Sequence, residues 1–476
     1  MNESLQNFIW DGKYRYKDQN GNPIDATVED TWKRVAQACA SLEKEKDKWA
    51  EKFYSILEGY KFLPGGRILS NAGTSREKTT MFNCFVMGEI KDDTASIFET
   101  VKEAALTQRQ GGGVGYDFST LRPNGAWVHG VQAKASGPIS FMHVFDATCR
   151  TIMSAGNRRG AQMSLLRCDH PSIEEFIDAK KDGVSLKMFN LSVGITDKFI
   201  EAVEKDSDWD LVFNGVPHRT IKARYLWNKI MKSTYDYAEP GVVFLDKYNK
   251  MNNLYYCEEI KTTNPCSEQG LPAWGCCLLG SVNLTKFVEE PFSRAAHIDH
   301  KKLSNVVSTA VRMLDNVIEL SRYPLPQQEK QEKSKRRMGI GITGLGDVFA
   351  FLRTKYGSQE SLDITTEIMK SVTETAYESS IELAKEKGSF PALEKEKYLE
   401  SNFIKTLPKR IHRGIEEHGI RNSHLISIAP TGTISLLAGN VSSGLEPIFA
   451  TSYLRKIKTD DGGEKQEEVV DYAASE

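Results

Sequence analysis

An α/β chain behind an all-helical lead-in is what the sequence predicts, and three patterns carry that reading. Between residues 27 and 60, Trp32, Val35, Ala36, Cys39, Trp49, Phe53 and Leu57 recur among many charges, the mark of amphipathic helices capping a core. Strand-like and helix-like stretches then alternate: Asn83-Cys84-Phe85-Val86-Met87 reads as a short buried strand, and Thr94 to Thr107 as the helix after it. Farther on, Leu303, Val306, Val307, Ala310, Val311, Leu314, Val317 and Ile318 fall at helical spacing until Pro324 ends the pattern, which makes a core-facing helix. A second helix, from about Thr365 to Lys387, closes at Gly388 with Pro391 beyond it. Leu425-Ile426-Ser427-Ile428-Ala429 then reads as another buried strand, with Pro430 to Ser435 as the loop after it. Alternation of this kind fits helices packed on a sheet.

Composition narrows the function. The 476 residues suit either several domains or one large α/β barrel. With 62 basic against 64 acidic residues the net charge is −2, which gives no footprint for nucleic acid or membrane and leaves a small-molecule substrate. The first residues lack a basic stretch followed by an apolar run, and no run of about 18 apolar residues occurs, so a cytoplasmic protein is expected. Eight cysteines are ordinary usage for a reducing compartment. Cys84, Cys266, Cys276 and Cys277 are candidates for chemistry, and Cys39, Cys149, Cys168 and Cys257 for packing. Cys276 and Cys277 are adjacent and lack a second ligand pair at zinc spacing, so no metal is expected.

The chemistry concentrates at Asn264-Pro265-Cys266-Ser267-Glu268, followed eight residues beyond Glu268 by Cys276-Cys277. Pro265 fixes its own φ and biases Asn264 toward extended backbone, which makes a loop tip on which a thiol, a carboxylate and an amide converge. A lone cysteine beside a glutamate is common and is more often merely packed. The company elsewhere in the chain shifts that balance. Gly111 to Gly115 does not make a dinucleotide fingerprint, since Phe118 stands where the last glycine belongs; it allows a tight backbone path beneath a substrate. The loop Ala155 to Ala161 carries Arg158 and Arg159, planar cations able to meet bases or phosphates, and reads equally well as a solvated basic turn. Asn190 and Ser192 share one face of a strand. Backbone amides and the hydroxyls of Thr431, Thr433 and Ser435 at the end of a strand suit a phosphate.

Taken in order, Phe62-Leu63-Pro64, Ser70-Asn71-Ala72-Gly73, Asn83-Cys84-Phe85, Gly111 to Gly115, Ser136-Gly137-Pro138, Arg158-Arg159-Gly160-Ala161, Asn190-Leu191-Ser192-Val193, the Asn264 to Glu268 core, Met338-Gly339-Ile340-Gly341 and Pro430 to Ser435 resemble the catalytic subunit of ribonucleotide reductases, most closely the adenosylcobalamin-dependent class. The resemblance runs from about Phe62 to Phe449. It implies a ten-stranded α/β barrel with a central finger loop over residues 61–476, preceded by a helical segment over residues 1–60. It also implies thiyl-radical reduction of a ribonucleoside diphosphate or triphosphate. Cys266 would carry the radical, Glu268 act as base, Asn264 hold the sugar, and Cys84 with Cys277 supply the electrons. Cys277 is selected over Cys276 by its distance from Asn283-Leu284. Ser70, Asn83, Gly113, Asn190, Ser192, Thr431, Gly432, Thr433, Ile434 and Ser435 would contact substrate. Asp92, Arg158 and Arg159 would meet a deoxynucleotide or ATP effector. Adenosylcobalamin, an external dithiol and a thioredoxin-like reductant complete the expected set, on a monomer or homodimer.

Two departures matter. No nucleotide-binding domain precedes the lead-in, so inhibition by dATP through one is not expected. The family chain continues well past Gly444-Leu445-Glu446-Pro447, whereas this one ends at Glu476, so a split or truncated gene, a second chain supplying the remainder, or a minimal form is expected. The rival readings are a class I large subunit served by a radical-generating partner and a noncatalytic nucleotide-binding half-protein.

Overall fold

The computed structural model describes residues 2–128, 130, 132–152, 160–458 and 464–476. Three helices, Asn2–Lys13, Val28–Ala40 and Lys46–Leu57, form the lead-in. Val28–Ala40 starts where the Asp30 carboxylate accepts the Thr27 N–H at 2.9 Å, and it buries Trp32, Val35, Ala36 and Cys39. Lys46–Leu57 turns Phe53, Ile56 and Leu57 toward the same core. That core continues into helix His300–Leu320, whose eight predicted core positions are all buried. The later helix begins at Gln359 instead of Thr365, because Ser358 caps it by accepting the Ser361 N–H, and it ends at Lys387 with Gly388 at φ +81°.

The strands form two ladders. A six-stranded sheet runs in the order Gly241–Phe244, Phe189–Ile195, Gln162–Arg167, Gly113–Asp117, Cys84–Val86 and Cys276–Cys277. Its first five strands are mutually parallel, and helices such as Thr94–Arg109 and Gly137–Thr151 make the crossovers. The sixth strand is antiparallel to Cys84–Val86. A three-stranded sheet takes the order Phe62–Pro64, Leu279–Asn283, Gly339–Thr343. Leu278 alone separates the last strand of the first sheet from the middle strand of the second, and together the sheets curl into a half-barrel.

The predicted strand Asn83 to Met87 is present as Cys84–Val86. The predicted strand Leu425 to Ala429 is reduced to one bridge, Ile426 to Ile340. Pro430 has no N–H with which to extend the ladder, and the Ser427 hydroxyl turns away to the Glu268 carbonyl at 3.0 Å.

A hairpin of Thr262–Thr263 and Gly270–Leu271 crosses the six-stranded sheet and carries residues 264–269 at its tip. Thr262 donates its hydroxyl to the Tyr116 carbonyl at 3.1 Å. The approach is so close that a Cβ on Gly115 would stand 2.0 Å from the Thr263 carbonyl oxygen, so only glycine lets the loop lie there.

Candidate active site

Asn264 closes the tip on itself. Its N–H donates to the Gln269 carbonyl at 3.1 Å, its side-chain oxygen accepts the Gln269 N–H at 3.0 Å, and its carbonyl accepts the Ser267 N–H at 2.9 Å. Ser267 pays with a left-handed φ of +62°. Three other elements brace the tip: Asn190 donates to the Pro265 carbonyl at 2.8 Å, the Tyr248 hydroxyl to the Ser267 carbonyl at 3.3 Å, and Ser427 to that of Glu268. On this rigid support the Cys266 thiol is exposed.

Glu268 turns inward. Its Oε1 lies 3.9 Å from the Cys277 sulfur, and its Oε2 is buried with no hydrogen-bond partner among the described residues. Burial raises its pKa above the ordinary carboxylate range, opposed in part by hydrogen bonding from Asn264. The Asn264 amide also lies 3.8 Å from the Cys277 sulfur.

Cys84 and Cys277 stand directly opposite each other on antiparallel strands, and both are free thiols. Opposed residues of such a pair have Cα atoms about 4.5–5.5 Å apart, inside the range of roughly 4.4–6.8 Å that a disulfide spans. Burial, reinforced by the neighbouring Cys84 thiol and the Glu268 carboxylate, pushes the Cys277 pKa well up. Cys276 faces the other way, into the main hydrophobic core, with its sulfur 3.6 Å from the Gln328 carbonyl.

Cys84, Cys266 and Glu268 border one cleft of about 400 Å³. Of the other residues singled out in the sequence, Ser70, Asn83, Thr431, Gly432, Thr433 and Ile434 line it. Ser435 does not: its hydroxyl donates to the Gly432 carbonyl at 2.7 Å and so shapes the loop from within. Asn190 braces the tip, and Ser192 sits two residues on, beside Gly241. Gly113 lies behind the dithiol, where a Cβ would meet Pro265 at 3.1 Å and the Cys84 sulfur at 3.4 Å. Asp92 is held by Arg122, which donates to it from its backbone N–H at 3.1 Å and from Nε at 2.8 Å. Arg158 and Arg159 lie outside the described residues.

Sequence reasoning missed Lys13, Tyr14, Gly65, Gly66, Arg67 and Arg76, which also line it. Lys13 and Tyr14 arrive because helix Asn2–Lys13 packs Trp10 and Tyr14 in one cluster with Ile434, Leu436 and Leu437, at the end of the cleft formed by the Thr431 to Ile434 loop. Arg67 follows Gly65-Gly66 between Phe62-Leu63-Pro64 and Ser70-Asn71-Ala72-Gly73 and was the one legible signal among them.

Comparison with known proteins agrees with this arrangement. The family described as "Ribonucleotide reductase, all-alpha domain" matches residues 6–77, and "Ribonucleotide reductase, barrel domain" matches residues 82–472. A vitamin B12-dependent ribonucleoside-diphosphate reductase of Mycobacterium tuberculosis is 37% identical over 94% of this chain and 62% of its own length. A protein of the same description from Thermoplasma acidophilum is 36% identical over 91% of this chain and 54% of its own. The ribonucleoside-diphosphate reductase large subunit of Vaccinia virus is 29% identical over 85% and 57%. The chain thus spans somewhat over half the length of these curated relatives. Both domain matches fall in order along it and enclose every residue of the loop tip and the facing dithiol, and on that evidence the chain belongs to the ribonucleotide reductase family.

Proposed function

We propose that this chain carries the catalytic centre of a ribonucleotide reductase that converts a ribonucleoside diphosphate or triphosphate to its 2′-deoxy form with an adenosylcobalamin radical source. The observation that carries the reading is the cleft lined by the exposed Cys266 thiol, the Glu268 carboxyl and Cys84, with Cys277 opposed to Cys84 on the strand behind it. Adenosylcobalamin, when bound, supplies a radical able to take a hydrogen atom from a thiol. Cys266 fits such a source because its sulfur is exposed at the tip of a braced loop.

The Cys266 thiyl then takes the 3′ hydrogen of the ribose, and Glu268 accepts the 3′ hydroxyl proton, within hydrogen-bond reach of which its carboxylate must lie. Asn264 fixes the tip that presents both. The 2′ hydroxyl leaves as water; Cys84 and Cys277 give up two electrons and two protons and end as a disulfide. Cys266 returns the 3′ hydrogen to C3′, which restores its thiyl, and then recovers from the radical source the hydrogen atom its thiol first gave up. Thr431 to Ile434 hold the phosphates, with Lys13 and Arg76 as counter-charges at the rim. An external dithiol, of thioredoxin type in the cell, reduces the disulfide.

The same reading takes residues 1–60 as the helical segment and 61–476 as barrel, in a cytoplasmic setting. Asp92, Arg158 and Arg159 meet a deoxynucleotide or ATP effector, on a monomer or homodimer.

The test is reduction of CDP and CTP with dithiothreitol, with and without adenosylcobalamin and with any adjacent reading frame that completes the barrel. Cofactor-dependent deoxynucleotide is expected from the wild type. Cys266→Ser, nearly isosteric, is expected to keep nucleotide binding and lose both product and the substrate-dependent electron paramagnetic resonance signal. Cys84→Ser is expected to keep the signal and lose product. Product from Cys266→Ser overturns the reading.

A further inference from the structure

Glu268 stands between two spaces. One is the cleft. The other, behind the loop tip, is a cavity of about 190 Å³ lined by Glu268 together with Tyr248, Gln269, Met338, His424 and Ile426. Two of its lining residues, Glu268 and Gln269, each bury a side-chain oxygen, Oε2 and Oε1, with no hydrogen-bond partner among the described residues. A buried acceptor left unmet costs about 1–3 kcal/mol. Water meets such groups wherever a polar space exceeds roughly 10–15 Å³, and this cavity has room for several molecules. Its donors and acceptors are suited to them. The Tyr248 hydroxyl sits at its edge, close enough to Glu268 for the carboxylate charge to add to burial in raising the phenol pKa. His424 is kept neutral by burial, which pushes its pKa down to about 3, and its ring nitrogens face Asn252 at 3.1 Å and Ser423 at 3.0 Å. Arg337, the cation of the wall, is tied to Glu258.

We propose that this rear cavity holds a water chain through which Glu268 exchanges its proton with solvent while the cleft is occupied, with Tyr248 and Gln269 as positioning residues. The proposal deepens the base role given to Glu268 above and rests on that reading for its purpose. A proton accepted from the cleft side leaves the carboxyl for a cavity water; the resulting hydronium passes it to solvent, and Glu268 returns to carboxylate. The reverse path restores the proton. A filled cleft therefore does not strand the group in one protonation state.

The route is measured by infrared spectroscopy at a pH below the ordinary carboxylate value, where a carboxyl with a raised pKa holds its proton. The Glu268 carboxyl band is assigned by its loss in Glu268→Gln, and its shift on mixing with D₂O is timed. The cleft is closed by a bulky maleimide on Cys266 in a Cys257→Ser background, the single adduct being confirmed by mass spectrometry. The capped protein is expected to exchange as fast as the uncapped one. Capped protein carrying Ile426→Trp, which fills the cavity, is expected to exchange about tenfold or more slowly. Gln269→Met, which removes an acceptor without adding bulk, is expected to slow it in the same direction and serves if the tryptophan variant does not fold. Slow exchange in the capped parent, or undiminished exchange in the capped cavity variants, overturns the proposal. The readout needs neither nucleotide nor turnover, so a failed reductase assay and a failed exchange experiment are separate results.

Discussion

At the residue scale, Glu268 carries a burden that its neighbours do not relieve. Because burial raises its pKa, the folded protein binds this proton more tightly than the unfolded chain does. The favourable contribution is complete below the ordinary carboxylate pKa and is lost as pH rises through the raised one. Glu268→Gln is therefore expected to melt at a higher temperature than wild type near pH 8 and at a similar temperature near pH 4, a difference that calorimetry at the two pH values will read. Lys13 gives a second prediction: one cationic contact to a phosphate at the rim is worth about 1.4 kcal/mol, or about tenfold in binding. Lys13→Gln is expected to raise the nucleotide KM by that factor with kcat little changed, as steady-state kinetics would show. Cys266, Glu268 and Asn264 could be read from one pentapeptide, whereas Lys13 could not. Its place depends on Trp10 and Tyr14 packing against Ile434 and Leu437, a contact between the two ends of the chain that no local pattern encodes.

At the scale of elements, periodicity was legible wherever one face is buried. Helix His300–Leu320 follows its apolar stripe closely, and the start of Gln359–Lys387 escaped notice because its first turn is fixed by a serine cap and not by apolar residues. Strand Leu425 to Ala429 shows the limit from the other side: an apolar run states burial, but the ladder also needs donors, and Pro430 supplies none. Besides the shared apolar core, a polar cluster ties the lead-in to the rest. Glu43, just past helix Val28–Ala40, accepts hydrogen bonds from Arg312 Nε and Lys387 at 2.9 Å and from Asn316 at 2.7 Å, and these partners hold its pKa down at about 2. The stability this carboxylate contributes is present above the ordinary glutamate pKa and is lost as pH falls through about 2. Glu43→Gln removes the charge that Arg312 and Lys387 share, leaving Arg312 with Glu386 and Lys387 with Asn316, and is expected to cost about 2 kcal/mol in denaturant unfolding at pH 7, with the difference narrowing in acid.

At the scale of the molecule, the half-barrel brings together what the chain keeps far apart. Cys84 and Cys277 come from distant segments, and only the order of motifs pointed to their pairing; the physical reason is the antiparallel rung between two strands whose neighbours all run parallel. The rung holds the sulfurs together before any bond forms, so oxidation demands no rearrangement of the sheet. Reduced protein and protein oxidised at this pair are expected to give superimposable far-ultraviolet circular dichroism and closely similar amide exchange maps, while tryptic mass spectrometry finds the Cys84–Cys277 link. Adjacent cysteines on that rung have a further meaning. Side chains of a strand alternate between its faces, so a slip of the rung by one residue would carry Cys277 into the core and bring Cys276 round to face Cys84. A sulfur would still stand in the cleft. The observed register is held against that slip by the core packing of Cys276 and Leu278 and by the contacts of Cys277 with Asn264 and Glu268.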